Sequence, residues 1–470
     1  MLGDFRGRRV LVMGLGLHGG GAGTVEFLVA AGARVTVTDL RGRRELAPSL
    51  KALARLRGVR YVLGRHRASD FRVADIIVKN PGVRRDNPYL KEAARRGISI
   101  TSDLGIFFDL CPGRIIGVTG TRGKSTATYL LWRMLKKKFL GAHYGGNIRR
   151  SALSLLPKIK KGDPVVLEVS SFQLADLDYE KKSPRIALMT NIMRDHLNWH
   201  KSMAEYRAAK AAIFRHQGPE DTLVINGQDP ALIKMAHSAS GRVIRASLSP
   251  HLKRIVDRNL GEHYRASCAV ASAAARHMGV AGAAIARALR AFHGLPARQE
   301  EIAVRNGVHF INDTTATIPE AAIAAIRRFR ALAGPGHKLI LIAGGSDKKL
   351  DFRIMAREIK KSVDALILLP GSATDILTTM SLIRTNKRHS QDLTMIQNKE
   401  LGVRSQELGI KSVSSMKEAV RTAYNLAHES DYIVLSPGAA SFGLFMNEFD
   451  RGDQFAAAVR AYAAAAAPKK

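Results

Sequence analysis

The 470-residue chain is 46% hydrophobic and 24% charged, globular proportions that exclude a disordered protein and suggest about three domains at roughly 100–200 residues each. Two cysteines, Cys111 and Cys268, exclude a disulfide framework and fit a reducing compartment, and no apolar run is long enough to span a bilayer. The net charge of +34 would suit a nucleic-acid binder, a field that steers anionic small molecules, or only a solvated basic surface.

The opening MLGDFRGRRVLVMG enters a strand without a signal-peptide core, so a cytoplasmic protein is expected. Predicted strands at Val10–Met13 and Arg34–Thr38 enclose Gly14-Leu-Gly-Leu-His-Gly19, and Asp39 closes the second. This G-x-G-x-x-G with a later acid is the dinucleotide fingerprint, and alone it favours a nicotinamide dehydrogenase. A basic cluster follows at Arg41-Gly42-Arg43-Arg44, then a strand at Ala74–Val78 and an Asn80-Pro-Gly82 turn. Residues 1–112 carry 20 Lys+Arg against 10 Asp+Glu, so the charge excess is spread along the chain and not held in a basic arm. No aromatic-interleaved RNA signature accompanies the short clusters, and nucleic-acid binding is not expected as the main function.

The breaker cluster Asp109-Leu-Cys-Pro-Gly113 marks a domain boundary. Beyond it, Ile115–Thr119 is a predicted strand leading into Gly120-Thr-Arg-Gly-Lys-Ser-Thr126. Strand, glycine-rich turn and helix start form a phosphate cradle, with Lys124 reaching the β- and γ-phosphates and the Ser125 hydroxyl on Mg²⁺. The strict P-loop pattern fails, because Val118 stands where its first glycine belongs; the alternative is an ordinary glycine-rich turn. Further strands are expected at Val165–Val169, Ile186–Thr190, Leu223–Ile225, Leu339–Ile342, Ala365–Leu368 and Tyr432–Leu435. Several are continuously apolar, as strands buried on both faces should be. Their alternation with helical stretches predicts α/β domains with mainly parallel sheets. A polar stretch around Pro296–Asn306 suggests the second boundary, and the terminal alanine run ending Pro-Lys-Lys reads as a frayed helix end.

ATP-driven amide formation phosphorylates a carboxylate first, and it needs cations on the γ-phosphate. Mg²⁺ takes oxygen ligands and keeps waters. Glu168 at a strand end, Ser125 and His196 could build such a site, although His196 by itself reads equally as a structural histidine.

In their order and spacing the motifs resemble the Mur ligases over nearly the whole chain. The variant Thr119-Gly-Thr-Arg-Gly-Lys-Ser125 is the family's phosphate loop, Glu168-Val-Ser-Ser-Phe-Gln-Leu174 its magnesium-binding strand end, and Asn191-Ile-Met-Arg-Asp-His196 its N-x-x-x-D-H segment. Tyr206-Arg-Ala-Ala-Lys210 resembles the site of its carbamylated lysine; otherwise Lys210 is a plain helix-surface lysine. Asn312-Asp-Thr-Thr-Ala-Thr317, Gly344-Gly-Ser-Asp-Lys348, Leu435-Ser-Pro-Gly-Ala-Ala-Ser-Phe442 and Asn447-Glu-Phe-Asp-Arg-Gly-Asp453 are similar to the C-terminal motifs of the member that adds D-glutamate to UDP-N-acetylmuramoyl-L-alanine.

The resemblance implies a three-domain α/β fold. A Rossmann-like domain (1–112) holds the UDP-sugar, a P-loop-type ATPase core (113–303) follows, and a Rossmann-like domain (304–470) brings the amino acid. It implies ATP on Thr119, Gly120, Thr121, Arg122, Gly123, Lys124, Ser125, Thr126, Arg298 and Asp313. Two Mg²⁺ ions are implied near Ser125, Glu168, His196 and carbamylated Lys210, with Lys124, His196 and Lys210 catalytic. The nucleotide-sugar falls to Gly16, Asp39, Arg41, Asn147 and Ser170, and D-glutamate to Thr317, Lys348, Ser441 and Phe442. A monomer without a membrane partner is expected. Another ligase of the superfamily, such as a folylpolyglutamate synthase-like enzyme, is the alternative. The chain departs from the family at Leu40, where a polar residue is usual, at Tyr264 and Ser267, where asparagines stand near adenine, at Ala297 in place of histidine, and at Thr315 in place of a frequent lysine. The stretch Ala236–Gly261 is also short.

Overall fold

The computed structural model describes residues 4–17, 19–147, 151–197, 199–348, 350–382 and 409–465; the end of the alanine-rich tail, 466–470, lies outside them. Among these residues three sheets form. The first joins β1 (Arg9–Met13), β2 (Arg34–Asp39), β3 (Arg60–Leu63), β4 (Ile76–Lys79) and β5 (Ser99–Ser102) in the order β3-β2-β1-β4-β5, all parallel. The second joins β6 (Arg114–Thr119), β7 (His143–Gly146), β8 (Pro164–Glu168), β9 (Ile186–Met189), β10 (Thr222–Asn226) and β11 (Arg242–Ala246) in the parallel order β11-β10-β9-β6-β8-β7. The third joins β12 (Glu300–Arg305), β13 (Val308–Asn312), β14 (Leu339–Gly344), β15 (Ala365–Leu369), β16 (Gly409–Ser412) and β17 (Tyr432–Leu435) as β12-β13-β17-β14-β15-β16. Only β12 runs antiparallel there. The expected α/β architecture of three domains is what forms.

The chain divides into two compact units: the first carries sheets one and two, and the second carries sheet three with the short segment that begins at Asp195. In the first unit, sheet strands and helices share one apolar core that runs from Val10, Val12 and Leu28 to Val165, Leu167 and Met189. In the second, the two faces of the sheet bury separate clusters, one around Leu341, Leu366 and Phe329, the other around Ile342, Ile367 and Phe455. Truncating one such side chain to alanine typically costs about 2–5 kcal/mol. The polar stretch Pro296–Asn306 is not a bare connection. It holds β12, which crosses the expected boundary at residue 303 and pairs wholly within the third sheet through an Asn306-Gly307 turn. Both turn residues have positive φ, as a tight two-residue hairpin demands.

A buried ion pair ties the first sheet to the second. Lys79 at the end of β4 donates to both carboxylate oxygens of Asp176 (2.6 and 2.5 Å), on helix Ser171–Tyr179, and both side chains are buried. Burial pushes the ammonium down and the carboxyl up, so each charge depends on the other.

Candidate active site

In every sheet the motifs lie at the carboxyl ends of three adjacent parallel strands, where open α/β sheets hold ligands. In the second sheet these are β9, β6 and β8. From β6 the chain enters the phosphate loop with Gly120 at φ 148° and Gly123 at φ 78°. A Cβ on Gly123 would meet the Ser267 hydroxyl at 2.1 Å, so the turn admits only glycine. Helix Lys124–Leu135 starts there, and the amino end of a helix favours an anion. From the end of β9, Asn191 clamps the loop: its Oδ1 accepts the Arg122 N–H (2.9 Å) and its Nδ2 donates to the Arg122 carbonyl (3.1 Å). Lys124 Nζ donates to the Thr121 carbonyl at 3.0 Å. Thr119 is buried and donates to the Val169 carbonyl at 2.8 Å, and Thr126 is buried one residue into the helix from Ser125.

At the end of β8, Glu168 is buried and accepts hydrogen bonds from the Ser125 hydroxyl and from Asn147 Nδ2 (3.0 Å). Asn147 is thus placed on the carboxylate, and Ser170 caps helix Ser171–Tyr179 in a reciprocal box with Gln173. Lys210, on helix Met203–Arg215, is fully buried and reaches the same loop: Nζ donates to Thr119 Oγ1 (3.2 Å) and the Gly120 carbonyl (2.9 Å). Tyr206, one turn earlier, shares a hydrogen bond of 3.1 Å with Thr121 Oγ1. A carboxylate and a hydroxyl in contact form a hard-oxygen donor pair that fits Mg²⁺ completed by waters. Among the described residues no group of three or more His, Cys, Asp or Glu could hold a metal by itself.

In the first sheet, Asp39 at the end of β2 accepts N–H bonds from Leu15 (2.8 Å), Gly16 (3.3 Å) and Arg41 (2.9 Å). It therefore fixes the glycine loop after β1. Leu40 beside it is exposed, as is Arg41.

In the third sheet, β13, β17 and β14 end side by side. Asp313, buried, accepts the Gln299 N–H (3.1 Å) and the Ser436 hydroxyl (2.7 Å). Arg298 donates to Thr315 Oγ1 at 3.1 Å, and Thr315 donates to the Ala297 carbonyl at 3.1 Å, holding Ala297 at positive φ. The loops after β14 and β17, which carry Lys348 and Ser441–Phe442 respectively, pair at Ser346 and Ala440 (2.9 and 3.0 Å). Thr317 is half-buried and Phe442 is exposed, with its carbonyl accepting the Ser346 hydroxyl at 2.6 Å. Within this unit Lys348 Nζ lies 3.8 Å from Asp195 Oδ1, and His196, at φ 54°, has its Nε2 3.6 Å from Asp195 Oδ2.

Residues 8–102 match the model of the Mur ligase MurD-like N-terminal domain, 118–282 that of the Mur ligase middle domain, and 297–439 that of the Mur ligase glutamate ligase domain. The chain is 41% identical to the UDP-N-acetylmuramoylalanine–D-glutamate ligase of Roseiflexus sp. (strain RS-1), over 97% of this chain and 99% of that one. The chain belongs to the Mur ligase family. A relative of the same name from Borreliella burgdorferi is 33% identical, over 97% and 98% of the two chains. Among solved structures, the UDP-N-acetylmuramate-alanine ligase of Thermotoga maritima shares the fold at a TM-score of 0.59 and 17% identity, covering 97% of this chain and 100% of that one. Escherichia coli FolC with DHPP and ADP shares it at 0.52 and 18%, covering 77% and 91%.

Where this Mur ligase departs from the family's asparagines, the replacements are packed. Tyr264 is buried edge-on to Phe292 (6.2 Å), and Ser267 lies against Gly123. Asn191 and Tyr206 were visible only as the first letters of their segments, and one contributor, the Lys79–Asp176 pair, was not legible as a motif. Another is His200, buried, bonded through Nε2 to Ser171 Oγ (2.9 Å) and stacked on Phe172. Burial pushes its pKa down to about 4. An unfolded histidine titrates near 6.5, so between those values the unfolded chain binds the extra proton and stability falls as pH drops. The loss is at most about 3 kcal/mol. Half-buried Asp103, whose pKa desolvation raises to about 6, acts with the opposite sign, so the comparison must be made against a variant. Denaturation midpoints from pH 7 to 4 should fall less steeply for His200→Gln than for the parent; parallel slopes would refute the assignment.

Proposed function

We propose that this enzyme couples ATP hydrolysis to the addition of D-glutamate to UDP-N-acetylmuramoyl-L-alanine, in peptidoglycan synthesis, as a cytoplasmic monomer. The observation that carries this reading is the buried Glu168 carboxylate in contact with Ser125 of the phosphate loop, in a chain whose curated relatives bear that enzyme's name over almost their full length. The L-alanyl carboxylate attacks the γ-phosphate and releases ADP. The D-glutamate amine then attacks the acyl carbon, phosphate departs with the C–O electron pair, and the nitrogen gives up one proton to solvent.

Residues 1–112 are assigned to the UDP-sugar through Gly16, Asp39, Arg41, Asn147 and Ser170. Residues 113–303 supply Thr119–Thr126 for the phosphates. Residues 304–470 supply Asp313, with Arg298 from the preceding turn, for ATP, and Thr317, Lys348, Ser441 and Phe442 for D-glutamate. Ser125, Glu168, His196 and carbamylated Lys210 would hold Mg²⁺, which would supply charge neutralisation on the transferring phosphoryl group. The test is phosphate release with UDP-N-acetylmuramoyl-L-alanine while the added amino acid is varied. Release that depends on D-glutamate is expected; release dependent on another amino acid, or on folate, would replace the reading.

Lys348 is the cation assigned to the D-glutamate carboxylates. Lys348→Ala should raise the KM for D-glutamate about tenfold or more, one charge-assisted bond of roughly 1.5–3 kcal/mol, and leave the KM for ATP nearly unchanged. Equal effects on both would show that the lysine is not an amino-acid contact. Asp195, 3.8 Å away, is its partner before the ligand arrives.

A further inference from the structure

Arg298 stands between two residues held in a conformation that favours glycine, Ala297 at φ 61° and Gln299 at φ 49°. The stretch begins as a tight turn: the Arg298 N–H donates to the Leu295 carbonyl at 3.2 Å, with Pro296 second and Ala297 third. Proline in the second place and positive φ in the third define a type II turn, whose third place glycine normally takes. A side chain there brings its Cβ close to the following carbonyl oxygen, and Gln299 repeats the conflict two residues on. Such a stretch persists only where its surroundings hold it.

The holding bonds fall on the two sides of Arg298. Beyond it, the Gln299 N–H donates to Asp313 Oδ1 (3.1 Å), and Gln299 Oε1 accepts from Arg328 Nη1 (3.0 Å). Before it, the N–H and the hydroxyl of buried Thr315 both donate to the Ala297 carbonyl, at 3.3 and 3.1 Å. That carbonyl shares a rigid peptide plane with the Arg298 nitrogen, so its direction sets where the arginine starts. The same hydroxyl oxygen accepts Arg298 Nη1 at 3.1 Å. A hydroxyl has one proton and two lone pairs. Here the proton goes to the carbonyl, so a lone pair faces the guanidinium. Thr315 thus grips Arg298 at its backbone and at its charged end. The chain from N–H through O–H to C=O is polarised in one direction, which strengthens each bond in it.

We propose that Thr315 is the positioning residue of Arg298 and orients its guanidinium for ATP, on the reading above that assigns this arginine to the nucleotide. A planar guanidinium meets phosphate oxygens best through two parallel bonds. Released from Thr315, it keeps its charge and loses part of that alignment.

The test is phosphate release by the full chain with ATP and D-glutamate varied in turn, beside a thermal melt of each variant. Thr315→Val keeps the branched shape and removes the hydroxyl. It should raise the KM for ATP about tenfold, the weight of one hydrogen bond to a charged group, and leave the KM for D-glutamate near the parent value. Thr315→Ser, which keeps the hydroxyl, should stay close to the parent for both. Arg298→Ala should raise the KM for ATP at least as far, and Thr315→Val added to it should raise it no further, because the two act as one unit. The threonine variants are also made with Ala297→Gly, in which the turn is unstrained and folding no longer leans on Thr315; the same pattern is expected. An unchanged KM for ATP in Arg298→Ala would remove the arginine from the ATP site and take the proposal with it. A raised value there, beside a parent value in Thr315→Val, would overturn the proposal alone. Additive effects in the double variant would overturn it too. So would a KM for D-glutamate that rises with that for ATP: Thr317, assigned to D-glutamate, donates its N–H to the Thr315 carbonyl at 2.9 Å, and a merely loosened loop would disturb both.

Discussion

Lys124→Ala is expected to lower phosphate release by about a hundred- to a thousandfold at saturating substrates, the size seen when one preorganised donor to a developing anion is removed. The lysine opens helix Lys124–Leu135, directly after the left-handed Gly123, so its side chain shares the helix end that faces the phosphates. Its ammonium meets the Thr121 carbonyl within its own loop. That bond contributes only about 1 kcal/mol to folding, so the variant should melt near the parent temperature. The loop itself is held by Asn191 and by the bond from Lys210 to Gly120, neither of which involves Lys124. The loss should therefore fall on kcat and not on the fold. The measurement is phosphate release beside a thermal melt. Near-parent turnover in a folded Lys124→Ala protein would remove the ATP site from this loop.

What the sequence revealed of the fold follows from burial. Strands covered on both faces, such as Leu339–Gly344 and Ala365–Leu369, are continuously apolar and could be read directly. The sheet edges β3, β5, β7, β11, β12 and β16 could not. Arg60-Tyr-Val-Leu63 and Gly409-Ile-Lys-Ser412 need only one apolar contact each, and their polar neighbours mask it. Among interior strands β13 was missed, because His309 interrupts Val-His-Phe-Ile-Asn. The site was legible where backbone geometry demands particular residues, as at Gly120 and Gly123. It was not legible where a side chain acts through a distant partner. Asn147 on Glu168, Tyr206 on Thr121 and Asp176 on Lys79 are separated by 21, 85 and 97 residues, and no spacing rule joins them.

Lys210→Ala is the second large effect expected, a loss of activity that short carboxylates restore in part. Lys210 is 1% exposed on a helix that packs toward the phosphate loop, with its Nζ 5.0 Å from the Tyr206 ring centre. A buried ammonium is costly to desolvate, and here Nζ donates to a hydroxyl and a carbonyl. It also stands beside a loop built for a magnesium-bound nucleotide, where a positive charge opposes the metal. Carbamylation, as proposed above, would remove that positive charge. The neutral amine attacks CO₂, a C–N bond forms, one proton leaves to solvent, and the group becomes an anion with two hard oxygens. One N–H remains, and it can keep the bond to the Gly120 carbonyl. Alanine removes the anion and leaves a cavity about the length of the lost side chain. Acetate or formate can enter that cavity and supply the carboxylate without the tether. The experiment measures phosphate release of Lys210→Ala in rising acetate and formate, against chloride at matched ionic strength. Partial recovery specific to the carboxylates is expected. A variant as active as the parent with no carboxylate added would show that Lys210 serves the loop as an ordinary buried lysine, and that the anion at this position is not needed for turnover.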